Sequence, residues 1–256
     1  MAHLYYREDL AAEEFVVGAV IEVRGDEARH AVRVSRLRVG ERTILGDGAG
    51  TTAQGEVTVV DRDRFAVRLE SVHRAEPVQN LLVLVQALAK GDRDERAVEQ
   101  ATEFGVDRIV PWQSERSVSR WDGEKSGRGV AKWQRVAREA AKQSMRARVP
   151  LVDAPASLDG LCQLAQVEST HVLVLHPRGD TRLSDWCSGL SPSPGSDVIG
   201  NEIVVVVGPE GGLSDREIDA LESAGAHVLQ LGDAVLRTSS AGPAGLALLN
   251  AALGRW

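Results

Sequence analysis

The sequence predicts an α/β protein, with a small all-β domain followed by a larger domain built on a mostly parallel sheet with helices on both faces. Three observations carry this. From residue 81 onward, short apolar runs alternate with amphipathic helical stretches, the pattern that makes a parallel sheet. Two of those runs, Leu81-Leu82-Val83-Leu84-Val85 and Ile203-Val204-Val205-Val206-Val207, show no polar alternation and read as strands buried on both faces. Before residue 74 the chain carries short strands punctuated by turn residues, which suggests a small barrel or sandwich.

The first domain, residues 1–73, has candidate strands at 16–23, 42–45, 52–60 and 64–69. The cluster Gly46-Asp47-Gly48-Ala49-Gly50 and the link Asp61-Arg62-Asp63 supply turns between them. A short helix is expected over 30–38. The second domain, 74–256, starts near Arg74-Ala75-Glu76-Pro77. It opens with a strand at 81–88 and a helix over 93–104, with Gly105 where a C-cap glycine belongs. A strand at 106–111 and a helix over 130–145 follow, then strands at 171–175, 202–207 and 227–231. Ser214 and Glu217 form a capping box that starts a helix after the fourth of these strands. The last helix is expected over 243–253, with Pro243 near its first turn. Residues 188–200, rich in Ser, Gly and Pro, read as a surface loop.

With 256 residues the chain can bury a real core. It has no apolar run of membrane-spanning length. The N-terminus lacks the basic-then-apolar pattern of a secretory signal. Cys162 and Cys187 are the only cysteines, and no Cys/His spacing resembles a metal site. A reducing cytoplasm is the expected compartment. The net charge of -7 argues weakly against nucleic-acid binding, but its distribution argues for it. Residues 28–42 hold five arginines against one glutamate, and 116–148 hold ten Lys/Arg against three Asp/Glu. Localised basic islands on an acidic chain are the electrostatic footprint of a polyanion site; two solvated faces are the competing reading.

The richest motif is Gly208-Pro209-Glu210-Gly211-Gly212, between the run ending at Val207 and the capping box. A ligand here would sit at the carboxyl end of a buried strand. A phosphate-cradling loop gathers backbone N–H groups and often a lysine, whereas this turn carries a carboxylate and a proline. Glu210 suits ribose hydroxyls or a positively charged ligand better than a pyrophosphate. In the helix over 130–145, Arg135, Arg138, Lys142 and Arg146 recur every three or four residues and share one face. Trp133, Ala137, Ala140, Ala141 and Ser144 lie opposite. A basic stripe backed by a packed face suits a phosphate backbone.

The order of these motifs resembles the RsmE family of the SPOUT superfamily, ribosomal RNA methyltransferases that act on uridine N-3. The resemblance rests on His30-Ala31-Val32-Arg33-Val34-Ser35-Arg36-Leu37-Arg38, Lys90-Gly91-Asp92-Arg93, Glu99-Gln100-Ala101-Thr102-Glu103-Phe104-Gly105, Glu115-Arg116-Ser117, Arg138-Glu139-Ala140-Ala141-Lys142-Gln143-Ser144, the Gly208–Gly212 turn, and Leu231-Gly232-Asp233-Ala234-Val235-Leu236-Arg237-Thr238. It implies a PUA-like β-barrel domain and a SPOUT domain with a deep trefoil knot. It implies S-adenosylmethionine (SAM) held by the knot loops, at Leu175, His176, Gly208, Glu210, Gly211, Gly212, Leu231, Leu236, Arg237, Thr238 and Ala241. The sulfonium charge of SAM would account for Glu210. Partners implied are small-subunit ribosomal RNA or the assembled subunit, contacted by Arg33, Arg36, Arg38, Arg135, Arg138, Lys142 and Arg146. A homodimer, no membrane and no metal complete the expectation. One position departs from the family, which commonly reads Leu-Arg-Thr-Glu-Thr-Ala where this chain has Leu236-Arg237-Thr238-Ser239-Ser240-Ala241. Ser239 cannot serve as a carboxylate base, and Ser239 or Ser240 would instead cap the last helix.

Methyl transfer to uracil N-3 requires loss of the ring proton and leaves negative charge on the ring oxygens. Arg237, permanently cationic, is the candidate to stabilise it; a structural ion pair is the alternative. No residue stands out as general base. His30 falls in the other domain and His176 reads equally as a backbone-bonded loop residue, so water or a second subunit would take the proton. Two other functions stay open: a SPOUT methyltransferase acting on another RNA, and an inactive RNA-binding assembly factor. The last helix, apolar nearly all round, supports the dimer, with Leu249 and Leu253 as expected contacts.

Overall fold

The computed structural model describes residues 3–190 and 202–256. They form two units, Met1–Pro77 with Ala141–Val149, and Val78–Ala140 with Pro150–Trp256. The predicted loop at 188–200 lies outside the described residues from 191 onward.

The first unit is a five-stranded sheet with order β1-β3-β4-β5-β2. Its elements are β1 (Leu4–Tyr6), β2 (Val20–Arg24), α1 (Gly25–Arg33), β3 (Arg42–Gly46), β4 (Thr51–Val60) and β5 (Arg64–Arg74). β1 runs parallel to β3, and the other pairings are antiparallel. The core gathers Phe15, Val23, Leu45, Val57 and Val67 around an edge-to-face pair, Tyr5 and Phe65, with ring centres 5.1 Å apart. The helix expected over 30–38 forms earlier. Asp26 and Glu27 favour its first turn, α1 ends at Arg33, and Arg36 adopts φ +54 in the turn that follows. Arg36 and Arg38 therefore lie outside the helix. The sequence reading divides the chain once, at 73/74, yet residues 141–149 pack with this unit. Ala141 is buried with Leu4 and Tyr6. Arg148 donates to the carbonyls of Ala49, Ala75 and Glu76, and the Tyr6 hydroxyl donates to the Arg146 carbonyl at 2.7 Å.

The second unit is a seven-stranded, wholly parallel sheet with order β10-β12-β9-β11-β6-β7-β8. In chain order it contains β6 (Leu81–Ala87), α2 (Arg93–Glu103), β7 (Arg108–Trp112), α3 (Glu124–Gln143), β8 (Leu151–Val152), α4 (Leu158–Ala165), β9 (Thr170–Leu175), β10 (Thr181–Arg182), α5 (Leu183–Ser188), β11 (Glu202–Val207), α6 (Asp215–Ser223), β12 (His227–Gln230) and α7 (Thr238–Ala252). The last three residues of α3 count with the first unit. The apolar runs of β6 and β11 divide by the two-residue period. Leu82, Leu84, Ile203 and Val205 join one core, with Trp133, Leu246 and Leu249. Val83, Val85, Val204 and Val206 join the other, with Ile218 and Leu221.

Three expectations about the helices are corrected. α3 stops at Gln143 and Met145 turns with φ +58, so Arg146 lies beyond it; Ser144 is exposed. α7 starts at Thr238 rather than Pro243, which sits inside the helix and supplies no N–H to the Ser239 carbonyl. Arg237 is its N-cap residue, and no side chain caps it, so neither Ser239 nor Ser240 does so. Finally, α7 packs on β6, β11, α2 and α5. Leu246 and Leu249 are fully buried there, which removes Leu249 as an outward contact and leaves Leu248, 38% exposed, in its place. Contacts within one chain thus account for most of the apolar circumference. Gly242 permits the close approach, since a Cβ there would lie 2.8 Å from Leu84 Cδ1.

Candidate cofactor cleft and RNA-binding residues

A cleft of about 560 Å³ opens past the carboxyl ends of β9 and β11. Leu175, His176 and Pro177 form one wall, Val207 to Glu210 with Gly212 and Leu213 a second, Val235 to Thr238 with Ala241 a third, and Arg93 reaches in from α2. A recess of about 70 Å³ adjoins it, lined also by Gln230, Leu231, Gly232 and Ala234.

The turn after β11 closes with the Gly212 N–H on the Pro209 carbonyl at 2.9 Å. Gly212 has φ +68, and the nearest atom to a Cβ there would be His176 Nε2 at 3.9 Å. The capping box forms as the sequence predicts: Glu217 N–H donates to Ser214 Oγ at 3.1 Å, and Ser214 N–H to Glu217 Oε2 at 2.8 Å. The other oxygen of this buried carboxylate accepts the Glu115 N–H at 2.7 Å. Thr238 also joins elements. Its hydroxyl donates to the Gly208 carbonyl at 2.7 Å and accepts from Gln86 Nε2 at 2.9 Å.

Glu210 is not aimed freely at a cationic ligand. Its Oε1 accepts from the Lys90 N–H and from the Arg93 guanidinium. Partial burial would raise its pKa, but these hydrogen bonds outweigh it and hold the carboxyl below its ordinary value. His176 Nδ1 accepts the Arg178 N–H at 3.1 Å. Burial, then Arg178 and Arg116, depress its pKa against the opposing charge of Asp215. Arg237 is exposed and, among the described residues, has no hydrogen-bond or ion-pair partner for its guanidinium. That disfavours the structural ion pair.

The predicted cofactor residues come together with one exception. Leu175, His176, Gly208, Glu210, Gly212, Leu236, Arg237, Thr238 and Ala241 line the cleft, and Leu231 lines the recess. Gly211 faces away. A Cβ there would stand 3.3 Å from Arg116 Cβ, and its carbonyl accepts from Arg116 Nη1 at 3.2 Å. The predicted RNA residues divide. Arg33, Arg36, Arg38 and Arg135 are exposed. Arg138 is largely covered and pairs with Glu139, and Lys142, 12% exposed, pairs with Glu27 at 3.1 Å. The supposed free stripe is therefore broken, because helical spacing shows which residues share a face but not what faces them. Sequence reasoning missed Arg93, Gln86 and Arg178 as site residues; only Arg93 carried a signal, in the Lys90-Gly91-Asp92-Arg93 block.

Fold and cleft together define an RNA methyltransferase. Residues 76–250 match the RNA methyltransferase domain family, and residues 23–70 match the RNA methyltransferase PUA domain family. The chain belongs to the ribosomal RNA small subunit methyltransferase E family. The relative of that name from Mycobacterium bovis is 39% identical over 100% of this chain and 94% of its own length. The one from Bacillus subtilis is 28% identical over 92% and 91%. Among solved structures, the family member from Neisseria gonorrhoeae, bound to S-adenosyl methionine, has a TM-score of 0.80 at 25% identity over 98% of both chains. A Legionella pneumophila protein solved with bound SAM has a TM-score of 0.82 at 27% identity, again over 98% of both.

The cleft suits such a cofactor. Gly212 leaves open the space that a side chain would enter. The walls combine apolar groups, Leu175, Leu213, Leu236 and Ala241, with the backbone of the Gly208–Gly212 turn.

Proposed function

We propose that this chain is a SAM-dependent methyltransferase that modifies ring nitrogen N-3 of a uridine in small-subunit ribosomal RNA. The observation that carries the reading is the end-to-end likeness to ribosomal RNA small subunit methyltransferase E, joined to a cleft built from the segments that the resemblance assigns to SAM. When bound, SAM supplies an electrophilic methyl group. The residues of the chain bind and orient. Leu175, Leu236 and Ala241 offer apolar walls, and the Gly208–Gly212 turn offers backbone. His176, with Nδ1 occupied by the Arg178 N–H, presents Nε2–H as a donor and cannot take a proton there without losing its tautomer. Arg237, unpartnered at the cleft wall, would stabilise the charge that develops on the uracil oxygens. Ser239 supplies no carboxylate, so proton removal falls to water or to a group outside this chain.

The trefoil path belongs to the same reading. Thr238, held between Gln86 and Gly208, ties the start of α7 to the ends of β6 and β11. A homodimer through the outward face of α7 and a cytoplasmic location complete the proposal. The exposed Arg33, Arg36, Arg38 and Arg135 are its RNA contacts outside the cleft.

The test is methylation of small-subunit ribosomal RNA by the purified chain with labelled SAM, followed by mapping of the modified base. Label on another RNA only, or at another ring position, would overturn the assignment. Arg237→Ala should lower turnover by on the order of a hundredfold with SAM affinity within about twofold of the parent. Calorimetry showing a parallel loss of SAM affinity would recast Arg237 as a cofactor contact.

A further inference from the structure

Arg116 lies in the segment after β7, against the outer side of the turn whose inner side lines the cleft. That segment is firmly mounted. Glu115 N–H donates to the buried Glu217 carboxylate at 2.7 Å, the buried hydroxyls of Ser114 and Ser117 lie 3.0 Å apart, and Trp121 N–H donates to Gln113 Oε1 at 2.8 Å. On this mount the Arg116 side chain is exposed. Its guanidinium spends one N–H on the Gly211 carbonyl and, among the described residues, has no carboxylate partner. The adjacent acid, Glu115, is taken by Arg216 at 2.7 Å. A guanidinium carries five N–H donors, so four remain. The charge also reaches the cleft, where it contributes to the depressed pKa of His176.

The contrast with the other cations near the cleft and on α3 is informative. Arg93 has Glu210, Arg138 has Glu139 and Lys142 has Glu27. Among the described residues Arg116, Arg237 and the more distant Arg135 show no carboxylate partner, and of these Arg237 stands on the cleft wall and Arg116 behind the Gly208–Gly212 turn. A fixed guanidinium with free donors suits a phosphate, which it can take with paired, charge-assisted hydrogen bonds.

We propose that Arg116 is an RNA-binding residue of this site: seated on the Gly211 carbonyl, it takes a phosphate of the ribonucleotide strand adjoining the nucleotide that enters the cleft. This rests on the methyltransferase reading above. It deepens that reading by moving part of the RNA contact from α3 to the rim of the cleft.

Arg116→Ala and Arg116→Lys, in the full chain, test it against small-subunit ribosomal RNA transcript. SAM affinity is measured by calorimetry, RNA affinity across a range of salt, and kcat and KM for RNA separately. The alanine variant should keep parental SAM affinity and kcat within about twofold, raise KM for RNA roughly tenfold, and flatten the salt slope by about 0.7–0.9. The lysine variant should restore the slope and only part of the affinity, because it keeps the charge without the paired geometry. Parental KM and salt slope in Arg116→Ala would overturn the proposal. So would a loss of SAM affinity that accounts for the whole defect, since Arg116 would then only support the turn. A parent chain that binds the transcript without methylating it would count against the proposed function, and the affinity and slope arms would still decide Arg116.

Discussion

His176 shows how neighbours fix one side chain in one protonation state. Its Nδ1 accepts the Arg178 N–H at 3.1 Å, which only the unprotonated nitrogen can do, so the proton of the neutral ring is assigned to Nε2. The loop is held from outside: Arg178 reaches Asp219 at 2.6 Å and Glu222 at 3.4 Å on α6, and Gln230 donates to the Gly179 carbonyl. Burial, Arg178 and Arg116 lower the pKa of His176, and Asp215 opposes them. The sign follows. A histidine whose pKa is depressed in the fold favours the neutral form there. Its contribution is complete above its ordinary value of about 6.5 and is lost as pH falls through the lower, folded value. Protonation would set an N–H against the Arg178 N–H and disturb the cleft wall. SAM affinity is therefore expected to be flat above the ordinary histidine value and to decline only as pH falls through the lower, folded value, in step with the His176 ring signal in nitrogen NMR. Affinity that stays constant while the His176 ring titrates, or a ring that titrates at or above the ordinary value, would refute this.

At the scale of elements, Thr238 is the latch between β6, β11 and α7. Thr238→Val keeps the shape and removes the hydroxyl, leaving the half-buried Gly208 carbonyl without its donor and the buried Gln86 without one of its acceptors. The expected cost is on the order of 1–3 kcal/mol, read as a shift of the denaturant midpoint, with a fall in SAM affinity because Gly208 lines the cleft. Unchanged stability would show that the latch is not stressed. The same elements show what a sequence can disclose. The apolar runs of β6 and β11 and the Ser214/Glu217 capping box are local signals, and each formed as expected. The Thr238 latch joins residues 152 positions apart, and no local pattern encodes it. Pro243 misled because proline favours a first turn, whereas here close packing of Gly242 and Leu246 on the sheet carries the helix through it. The α3 cations were placed correctly on their helix, but their acidic partners were invisible, Glu27 lying 115 residues from Lys142.

At the scale of the whole molecule, the two-domain architecture was legible because each domain carries its own period, alternating strands first and buried runs with helices after. The exchange of 141–149 into the first unit was not, since it depends on Arg148 meeting backbone carbonyls and on Ala141 meeting Leu4 and Tyr6. The proposed homodimer rests on what the fold leaves uncovered. Ala244, Leu248 and Ala251 form the outward stripe of α7, while Val235 and Leu236, 81% and 41% exposed, precede the helix at the cleft wall. An isologous two-fold contact along α7 would bury this stripe. Leu248→Arg places a charge on it without entering the core, and light scattering at micromolar concentration should show a dimer for the parent and a monomer for the variant, which retains its circular dichroism. Leu249→Arg buries a charge in the fully enclosed core and should fail to fold, a contrast that separates interface from packing. A monodisperse parent monomer with full methyltransferase activity would rule out the dimer, and a dimeric Leu248→Arg would move the contact away from this face of α7.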